Sequence, residues 1–304
     1  MKHDTAGDPI TGLKWTRRTT AKVAAELRSA GIDVSARTVA RLLHEMDFSL
    51  RVNHKKLSRG SPPERDAQFH RIAALREDFD ARGLPVVSVD TKKKEMVGRF
   101  KNRGTTWTRQ PVLVNDHDFR SDASGMAVPY GILDLAANRG SVFVGTSHDT
   151  PAFAVDALEA WWRTEGRQRY PGVHHFAILA DGGGSNGPNC RAWKHGLQTR
   201  LCDRHGLTVT VAHYPPGASK WNPIEHRLFS EISKNWAGRP LDSYETILNY
   251  LRTTTTTTGL RVRARLVRKP YHKGLTVTNA QMRALKLAFD TSLPKWNYTL
   301  CPTN

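Results

Sequence analysis

The sequence predicts an α/β fold, in which a mixed five-stranded sheet is flanked by helices and follows a small N-terminal all-α module. Three observations support this. From residue 84 onward, β-rich apolar runs and helical periodicity alternate as three strands, helix, strand, helix, strand and helix. Before residue 50, two short segments have helical spacing. The length of 304 residues is ample for a buried core, and the apolar fraction of 38%, although low for a compact enzyme, is too high for a disordered chain.

The charge balance predicts a polyanionic partner. Lys and Arg number 46 against 28 Asp and Glu, which gives a formal charge of +18. No apolar run reaches the roughly 18 residues that a membrane-spanning helix needs, and no signal peptide follows Met1. The three cysteines form no CxxC pair, which argues against a disulfide scaffold and against a cysteine zinc site. We therefore expect a soluble cytoplasmic protein that binds nucleic acid, although ribosomal proteins share this composition.

Residues 1–50 are predicted to form an extended arm, residues 1–19, and a helix-turn-helix module. Thr20 is the expected cap of the first helix and Ser35 that of the second. Their apolar faces consist of Val23, Ala24 and Leu27, and of Val39, Leu42, Leu43 and Met46. A turn that contains Gly31 joins the two helices. Such a pair fits DNA recognition, and an ordinary helical hairpin fits the pattern equally well.

The second helix has a polar face that suits a recognition helix in the major groove of DNA. Four side chains lie off its apolar stripe: Arg37, Thr38, Arg41 and His44. On the alternative interpretation they are simply solvated. The pattern alone does not decide between these two.

Three further regions follow. Residues 51–83 are predicted to form a basic linker and a helix through Phe69 and Phe79, residues 84–240 the sheet domain, and residues 241–304 a C-terminal extension. The predicted strand segments are residues 84–90, 96–100, 128–135, 141–146, 175–181 and 207–211. An antiparallel trio followed by right-handed crossovers gives a mixed sheet. The run Thr253–Thr258 is interpreted as a spacer.

Three carboxylates occupy the informative positions. Asp90 and Asp181 each end a buried strand, and Glu225 lies at the start of a helix. In this strand order the strands of Asp90 and Asp181 can be neighbours, and a helix across the sheet end can add Glu225. Three clustered carboxylates suit Mg²⁺ or Mn²⁺, and two such ions support phosphodiester chemistry. The sequence therefore predicts two divalent cations bound by these acids.

Each acid also has a structural alternative. Asp90 can cap a turn, and Asp181 can belong to a β–α turn before Gly182. Glu225 lies at the position of a capping-box glutamate if Asn222 is the N-cap. Glu231 is a less suitable third ligand, since it lies about 240° further round the helix.

Basic residues near these acids are candidate phosphate contacts. Lys92, Lys93 and Lys94 follow Asp90, and Lys220 precedes Glu225. A lysine run is more often a solvated face. The sequence contains no GxSxG, P-loop or GxGxxG motif, which argues against serine hydrolases, nucleotide triphosphatases and dinucleotide enzymes. We expect no nucleotide cofactor and no membrane partner.

Long sequence blocks around the three acids resemble the catalytic blocks of the ISAzo-thirteen family of bacterial insertion-sequence transposases. These blocks are VDTKKKE at residues 89–95, ADGGGSNG at 180–187 and PPGASKWNPIEHRLF at 215–229. The segment WNYT at residues 296–299 is similar to the C-terminal end of that family. The Asn-Pro-Ile-Glu element also resembles the wider mariner-like group. The resemblance covers almost the whole chain.

The resemblance implies an RNase H-like fold and a DDE triad of Asp90, Asp181 and Glu225. It implies Mg²⁺-dependent cleavage at transposon ends, followed by attack of the freed 3′-hydroxyl on target DNA. The implied partners are double-stranded DNA and further copies of the chain assembled on it, in the bacterial nucleoid. It also favours the DNA-recognition interpretation of residues 36–46.

One departure from the family pattern predicts an N-terminally truncated copy. Chains of the family usually carry a further helical segment before the stretch that appears here at residues 7–16. The alternative function is therefore a DNA-binding remnant that is inactive in transposition and acts as a repressor. A weaker alternative is a structure-selective nuclease that cuts without joining.

Overall fold

A computed structural model of the protein describes residues 5–7, 14–16, 19–50, 63–218 and 221–303. The chain divides into two compact units, Met1–Ser58 and Arg59–Asn304. The predicted DNA contact Lys220 lies outside the described residues, as do residues 51–62 of the predicted basic linker.

The first unit contains the two predicted helices, α1 (Thr20–Ser29) and α2 (Ala36–Glu45), after two short antiparallel strands, β1 (Thr5–Gly7) and β2 (Lys14–Thr16). The strands lie in the segment predicted as an extended arm. Ser35 caps α2 as predicted, with its Oγ accepting from the Thr38 amide at 3.1 Å. The prediction for α1 is wrong by one residue, because Thr19 is the N-cap and accepts from the Lys22 amide at 3.3 Å.

The core of this unit is smaller than the sequence predicts. Val23, Ala24 and Val39 are buried, and Leu27, Val34 and Leu43 pack against them in part. Leu42 and Met46, predicted for the apolar stripe, are exposed. Among the described residues of this unit, α1 is the helix that packs against α2, and it covers only part of the apolar face of α2.

The second unit is built from a central sheet and two helical layers. Its strands are β3 (Val86–Thr91), β4 (Glu95–Val97), β5 (Gly125–Asp134), β6 (Arg139–Gly145), β7 (His175–Ala180), β8 (Thr208–His213), β9 (Arg261–Val267), β10 (Leu287–Phe289) and β11 (Asn297–Leu300). Its helices are α3 (Arg65–Ala81), α4 (Pro151–Trp161), α5 (Arg167–Arg169), α6 (Arg191–Leu197), α7 (Asp203–His205), α8 (Ser230–Asn235), α9 (Tyr244–Arg252) and α10 (Asn279–Arg283). Three π-helical turns lie at Trp162–Gly166, Gln198–Cys202 and Glu225–Phe229.

The sheet is mixed, as predicted, but larger than five strands. Its order is β10-β11-β8-β7-β3-β5-β6-β9, and β4 pairs with β5 outside this path. Five of the six predicted strand segments form the middle five strands, β8-β7-β3-β5-β6, which is the RNase H-like arrangement. The sixth segment, residues 96–100, overlaps β4. The additional edge strands β9, β10 and β11 come from the region predicted only as a C-terminal extension, where β9 pairs parallel with β6 and β11 antiparallel with β8.

Two apolar cores lie on the two faces of the sheet. One includes α3, α9 and the helix from residue 225 to 235, and the other includes α4 and α6. Thr150 caps α4 and Pro151 begins it, as predicted, with the Thr150 Oγ1 accepting from the Phe153 amide at 3.2 Å. No helix in the described part of the chain is long and apolar enough to cross a membrane.

The C-terminal WNYT segment belongs to the sheet and ties it to α3. Within β11, the Asn297 amide donates to Gln68 Oε1 at 2.6 Å, and Gln68 donates to the His213 carbonyl at 2.9 Å. The Tyr298 hydroxyl accepts from the Trp193 indole at 2.9 Å. These buried hydrogen bonds give the WNYT segment a structural role.

Close packing over β5 brings the Glu225 helix to the sheet. A Cβ atom on Gly131 would lie 2.6 Å from the Phe229 ring and 2.9 Å from Ile224. Gly131 is the register partner of Asp90 on β3. The glycine therefore allows this helix to lie directly over the strand pair that ends near the acids.

Candidate active site

Asp90 and Asp181 lie side by side at the carboxyl ends of two parallel strands. Val89 on β3 is in register with Ala180 on β7, so the next residue of each strand is the predicted acid. The Asp90 Oδ1 accepts from the Thr91 amide at 2.7 Å. The strand order that the sequence predicts is thus sufficient to bring these two carboxylates together.

Glu225 reaches the same place because its segment is tied to β3. The Ser88 hydroxyl donates to Asn222 Oδ1 at 2.5 Å and accepts from the Ile224 amide at 3.1 Å. Asn222 also donates to the Val89 carbonyl at 3.3 Å. These bonds join residues 222–224 to the two residues before Asp90. Glu225 then begins a π-helical turn, a feature frequent at functional sites.

The capping alternative for this segment is wrong for Asn222. Its side chain bonds to β3, whereas the Ile224 amide donates to Ser88 and the Glu225 amide donates to the Asn222 backbone carbonyl at 3.0 Å. Among the described hydrogen bonds, none joins the Glu225 carboxylate to the Asn222 backbone. The side chain of Glu225 interacts with Asp90. Its assignment as a catalytic acid stays a prediction.

Burial and neighbouring acids raise the pKa values of Asp90 and Asp181. Burial, with the negative charges of Asp181 and Glu225, raises the pKa of Asp90 to about 8, against the opposing bond from Thr91. Burial also raises the pKa of Asp181, and the charges of Glu225 and Asp149 add to this effect. The Oδ1 atom of Asp181 is buried without a hydrogen-bond partner in the described structure. Strongly perturbed acids in one cluster are typical of functional sites.

Asp149 is a fourth acid at this site, and the sequence interpretation missed it. Its Oδ1 accepts from the Thr91 hydroxyl at 3.2 Å, and its Oδ2 lies 3.8 Å from Lys94 Nζ. It comes four residues after β6 ends and directly before the cap of α4. Only the pairing of β3, β5 and β6 brings it near Asp181, so the available signal was its place at a strand-to-helix connection.

Tyr130 brings a buried hydroxyl to the same cluster. It is in register with Thr91, its side chain is 0% exposed, and its hydroxyl has no hydrogen-bond partner in the described structure. Burial raises the pKa of Tyr130, and the charges of Asp90, Asp149 and Asp181 raise it further. A buried hydroxyl without a partner costs about 1–3 kcal/mol. Its presence therefore points to a group that binds among the acids.

The donor set suits hard divalent cations bound in part by water and substrate. Among the described residues, no group of three or more His, Cys, Asp or Glu side chains is arranged to hold a metal ion by itself. Mg²⁺ does not require such a cage, because it usually takes one or two carboxylates and completes its shell with water and phosphate oxygens. The unpartnered Asp181 Oδ1 and the raised pKa of Asp90 both indicate carboxylates that lack a compensating cation.

The three lysines after Asp90 differ in their surroundings. Lys92, 8% exposed, lies 3.3 Å from Glu95 Oε1 and over the Trp236 ring at 4.6 Å. Burial lowers its pKa. Lys93 is exposed, and Lys94 is half-exposed beside Asp149. The geometry favours an internal role for Lys92, whereas Lys93 and Lys94 can reach a phosphate.

In the first unit, the predicted recognition residues lie on α2. Arg37, Arg41 and His44 are exposed, and Arg41 pairs with Glu45 at 2.5 Å. The Thr38 side chain is half-buried, and its hydroxyl lies 2.9 Å from that of Ser35. Three of the four side chains are thus available to a ligand, and their role in DNA recognition stays a prediction.

Known proteins give a family and several distant structural neighbours. The ISAzo-thirteen family model, described as the Rhodopirellula transposase DDE domain, matches residues 1–302. Similar solved structures are the Mos1 transposase paired-end complex with left transposon end (17% identity, TM-score 0.43), the Mos1 strand transfer complex (17%, 0.46) and the mariner Mos1 paired-end complex with Mg (18%, 0.46). No curated protein matches the chain.

These matches differ in coverage. Each structural match includes 77% of this chain but only 65%, 64% and 65% of the respective Mos1 chain, so the protein spans less than two thirds of those chains. The family model, in contrast, includes nearly every residue. The predicted family is thereby confirmed, and the chain belongs to the ISAzo-thirteen family of DDE transposases.

Proposed function

We propose that the protein is a DNA transposase of a bacterial insertion sequence, which cleaves DNA at transposon ends and joins the freed 3′-hydroxyl to target DNA. One observation carries the proposal. Three acids from distant sequence blocks converge at one end of the sheet, where burial and mutual repulsion raise the pKa of Asp90 to about 8. Such a cluster is unfavourable alone and becomes favourable with bound cations.

Asp90, Asp181 and Glu225 are the proposed catalytic acids and the proposed ligands of two Mg²⁺ or Mn²⁺ ions. The charges of Asp181 and Glu225 both act on Asp90, so the three carboxylates would together hold the cations. When bound, the cations supply Lewis-acid activation of water and then of the 3′-hydroxyl. The tether from Ser88 to Asn222 holds Glu225 in position.

The proposed DNA contacts lie in both units. The charge of +18 favours the phosphate backbone. On α2, Arg37, Thr38, Arg41 and His44 form the proposed reading face. The proposed phosphate contacts in the second unit are Lys92, Lys93, Lys94 and Lys220. Lys93 and Lys94 are exposed, the side chain of Lys92 is buried, and Lys220 lies outside the described residues. Assembly of several copies on DNA in the nucleoid belongs to the same proposal.

The proposal is tested by Glu225→Gln, with Glu231→Gln as the matched control. Glu231 lies in the same helical segment but pairs with Lys234 at 2.6 Å. Loss of a cation ligand should reduce Mg²⁺-dependent nicking of a transposon-end duplex by several orders of magnitude, with little change in melting temperature. The control should nick like the wild type. Retained nicking by Glu225→Gln would assign the third ligand elsewhere.

The reading face is tested separately. Arg37→Ala and Arg41→Ala should weaken discrimination between element ends and random duplex more than they weaken total binding. Competition binding with both duplexes measures this. Equal loss for all sequences would make α2 a phosphate clamp and not a reader.

A further inference from the structure

The edge strand β9 presents a row of arginines on one face. Arg261, Arg263 and Arg265 are exposed, whereas Val262 and Ala264 between them are buried. The buried residues pack in the same core as Ile247, Leu248 and Leu251 of α9. Because side chains alternate along a strand, the three arginines lie on the opposite face from α9, about 6.6 Å apart.

The positive charge of this row is only partly compensated. Arg263 lies 3.8 Å from Glu165, which Arg169 also approaches at 3.7 Å. In the described part of the chain, neither Arg261 nor Arg265 forms an ion pair. Like charges also meet across the strands, because Arg261 is in register with Arg139 of β6. Such an arrangement is unfavourable alone, and an anion would stabilise it.

At its beginning, the row opens onto an arginine-lined cavity of about 340 Å³. The charged residues that line it are Arg139, Glu165, Arg169, Arg252, Arg261 and Arg263. Of its five guanidinium groups, that of Arg169 is paired with Asp134 at 2.6 Å and that of Arg252 lies 3.7 Å from Glu245. The guanidinium groups of Arg139 and Arg261 form no ion pair in the described part of the chain. They can therefore accept an anion, and guanidinium groups bind phosphate oxygens in bidentate fashion.

At its other end, the row leads to the acid cluster. Since β9 runs parallel to β6, both strands end on the side of Asp149. The chain after β9 stays beside the connection to Asp149: Thr146 donates to the Val267 carbonyl at 3.2 Å, and the Tyr271 amide donates to the Ser147 hydroxyl at 3.0 Å. A cavity of about 400 Å³ follows, lined by Asp149, Arg191, His272 and Lys273 among others.

The length of this surface matches a nucleic-acid backbone. Four residue steps from Arg261 to Arg265 cover about 13 Å at about 3.3 Å each. The same distance corresponds to about four base pairs of duplex at about 3.4 Å each. Charged side chains on edge strands also prevent aggregation, but that role requires neither an arginine-lined cavity at one end nor an approach to the active site at the other.

We propose that the β9 face, defined by Arg261, Arg263 and Arg265 with the cavity beside Arg139, binds the phosphate backbone of duplex DNA that leads into the acid cluster. The identity of the anion as DNA rests on the proposed function. The contact is independent of base sequence, because a flat row of guanidinium groups on a sheet face reaches phosphates and not the floor of a groove.

The test measures how DNA affinity depends on salt, in EDTA so that cleavage plays no part. The variant is Arg261→Gln/Arg263→Gln/Arg265→Gln in the full chain. Each lost phosphate contact should lower the slope of log K against log salt by about 0.9, so the slope should fall by about 2 to 3. The decrease should be the same for a transposon-end duplex and a random duplex. Lysine at all three positions should restore most of the slope.

Two controls keep the result interpretable. Arg82→Gln/Arg283→Gln/Lys286→Gln removes the same charge from exposed residues outside the β9 face and should leave the slope near that of the wild type. Arg261→Gln/Arg265→Gln keeps the Arg263–Glu165 pair and should lower the slope by about 2, which guards against a folding defect in the triple variant.

The outcomes separate this inference from the proposed function. An unchanged slope in the β9 variants would overturn the inference even if the wild type nicks transposon ends with Mg²⁺. A loss restricted to transposon-end DNA would overturn the phosphate assignment. A wild type that shows the predicted slopes but never nicks DNA would keep the β9 contact and remove the transposase proposal.

Discussion

The two ends of the β3–β5 strand pair both contain buried carboxylates, but only one end compensates them. At one end, Asp134 is fully buried and in register with Val87. It accepts from Arg169 at 2.6 Å, from the Tyr170 hydroxyl at 2.8 Å and from the Ala137 amide at 3.1 Å. At the other end, Asp90 lies beside Asp181, whose Oδ1 has no partner in the described structure.

The comparison distinguishes Asp134, a carboxylate with a structural role, from Asp90, a carboxylate with a proposed functional role. Asp134 has a cation and a hydroxyl, so its charge is stabilised by the chain itself. Asp90 has two further acids as neighbours, so its negative charge is opposed and its pKa rises to about 8. Two tyrosines repeat the contrast, because the Tyr170 hydroxyl has an acceptor and the Tyr130 hydroxyl has none. At the Asp90 end, the negative charges are not balanced by the described residues around them. A bound cation can therefore stabilise that end of the strand pair.

The largest expected effect compares Asp181→Asn with Asp134→Asn. Asp181→Asn removes an opposed charge, so we expect several orders of magnitude less Mg²⁺-dependent nicking and an unchanged or higher melting temperature in EDTA. Asp134→Asn breaks a compensated buried pair and should lower the free energy of unfolding by about 3 kcal/mol or more. Nicking assays normalised to folded protein, with denaturant titrations, measure both. Similar stability losses in both variants would contradict the contrast.

The next largest effect is expected for Asn222, whose hydrogen bonds to β3 hold the segment before Glu225 in place. Asn222→Ala removes the bonds to Ser88 and Val89, and loss of such supporting bonds typically costs 10–100-fold in activity or metal affinity. Mn²⁺ affinity, measured by titration, should fall with the nicking rate. Asn235→Ala is the control, since Asn235 bonds to the Tyr250 carbonyl at 2.7 Å. Equal Mn²⁺ affinity in Asn222→Ala and the wild type would reduce Asn222 to a folding role.

The sequence alone predicts that Asp90 and Asp181 lie at the ends of neighbouring strands. It does not predict the residues that surround them. Asp90 and Asp181 follow apolar runs, and strand order alone makes their strands neighbours. Glu225 remained ambiguous because a helix cap and a cation ligand occupy the same sequence position. The structure shows that Asn222 bonds to β3, which no local pattern records.

What the sequence missed depends on pairing between distant segments. Asp149 and Tyr130 come to the site through β6 and β5, and neither belongs to a block with a local chemical signature. Lys92 was predicted as part of a cationic run, yet its side chain turns inward over Trp236. The edge strands β9 to β11 were missed because the region after residue 240 was interpreted as an extension, although alternation at residues 261–265 was visible.

A smaller effect is expected in the pH dependence of stability without divalent cations. The folded-state pKa of Asp90 is raised from 3.8 to about 8, so the folded protein binds more protons than the unfolded chain between these values. The free energy of unfolding should therefore fall as pH rises from about 4 to about 8. Asp90→Asn should flatten this dependence. Melting curves in EDTA across this range measure it.

The control for this experiment is wild-type protein with Mg²⁺. A cation competes with the proton for Asp90, so Mg²⁺ should restore stability most at the high-pH end. A wild type whose stability in EDTA falls no more between pH 5 and pH 8 than that of Asp90→Asn would contradict the assignment of an opposed charge at Asp90.

The smallest effect, and the most selective, compares the two tyrosines. Tyr130→Phe removes a hydroxyl that is 0% exposed and without a partner, so in EDTA it should stabilise the fold by about 1 kcal/mol. Tyr170→Phe removes a 2.8 Å bond to a buried carboxylate and should destabilise it by about 1–2 kcal/mol. Denaturant titrations resolve these signs. With Mg²⁺ present, the advantage of Tyr130→Phe should shrink, because the wild-type hydroxyl then gains a partner among the hydrated acids. Destabilisation by Tyr130→Phe in EDTA would show that the hydroxyl already has a partner, and the contrast between the two ends of the sheet would then rest on the carboxylates alone.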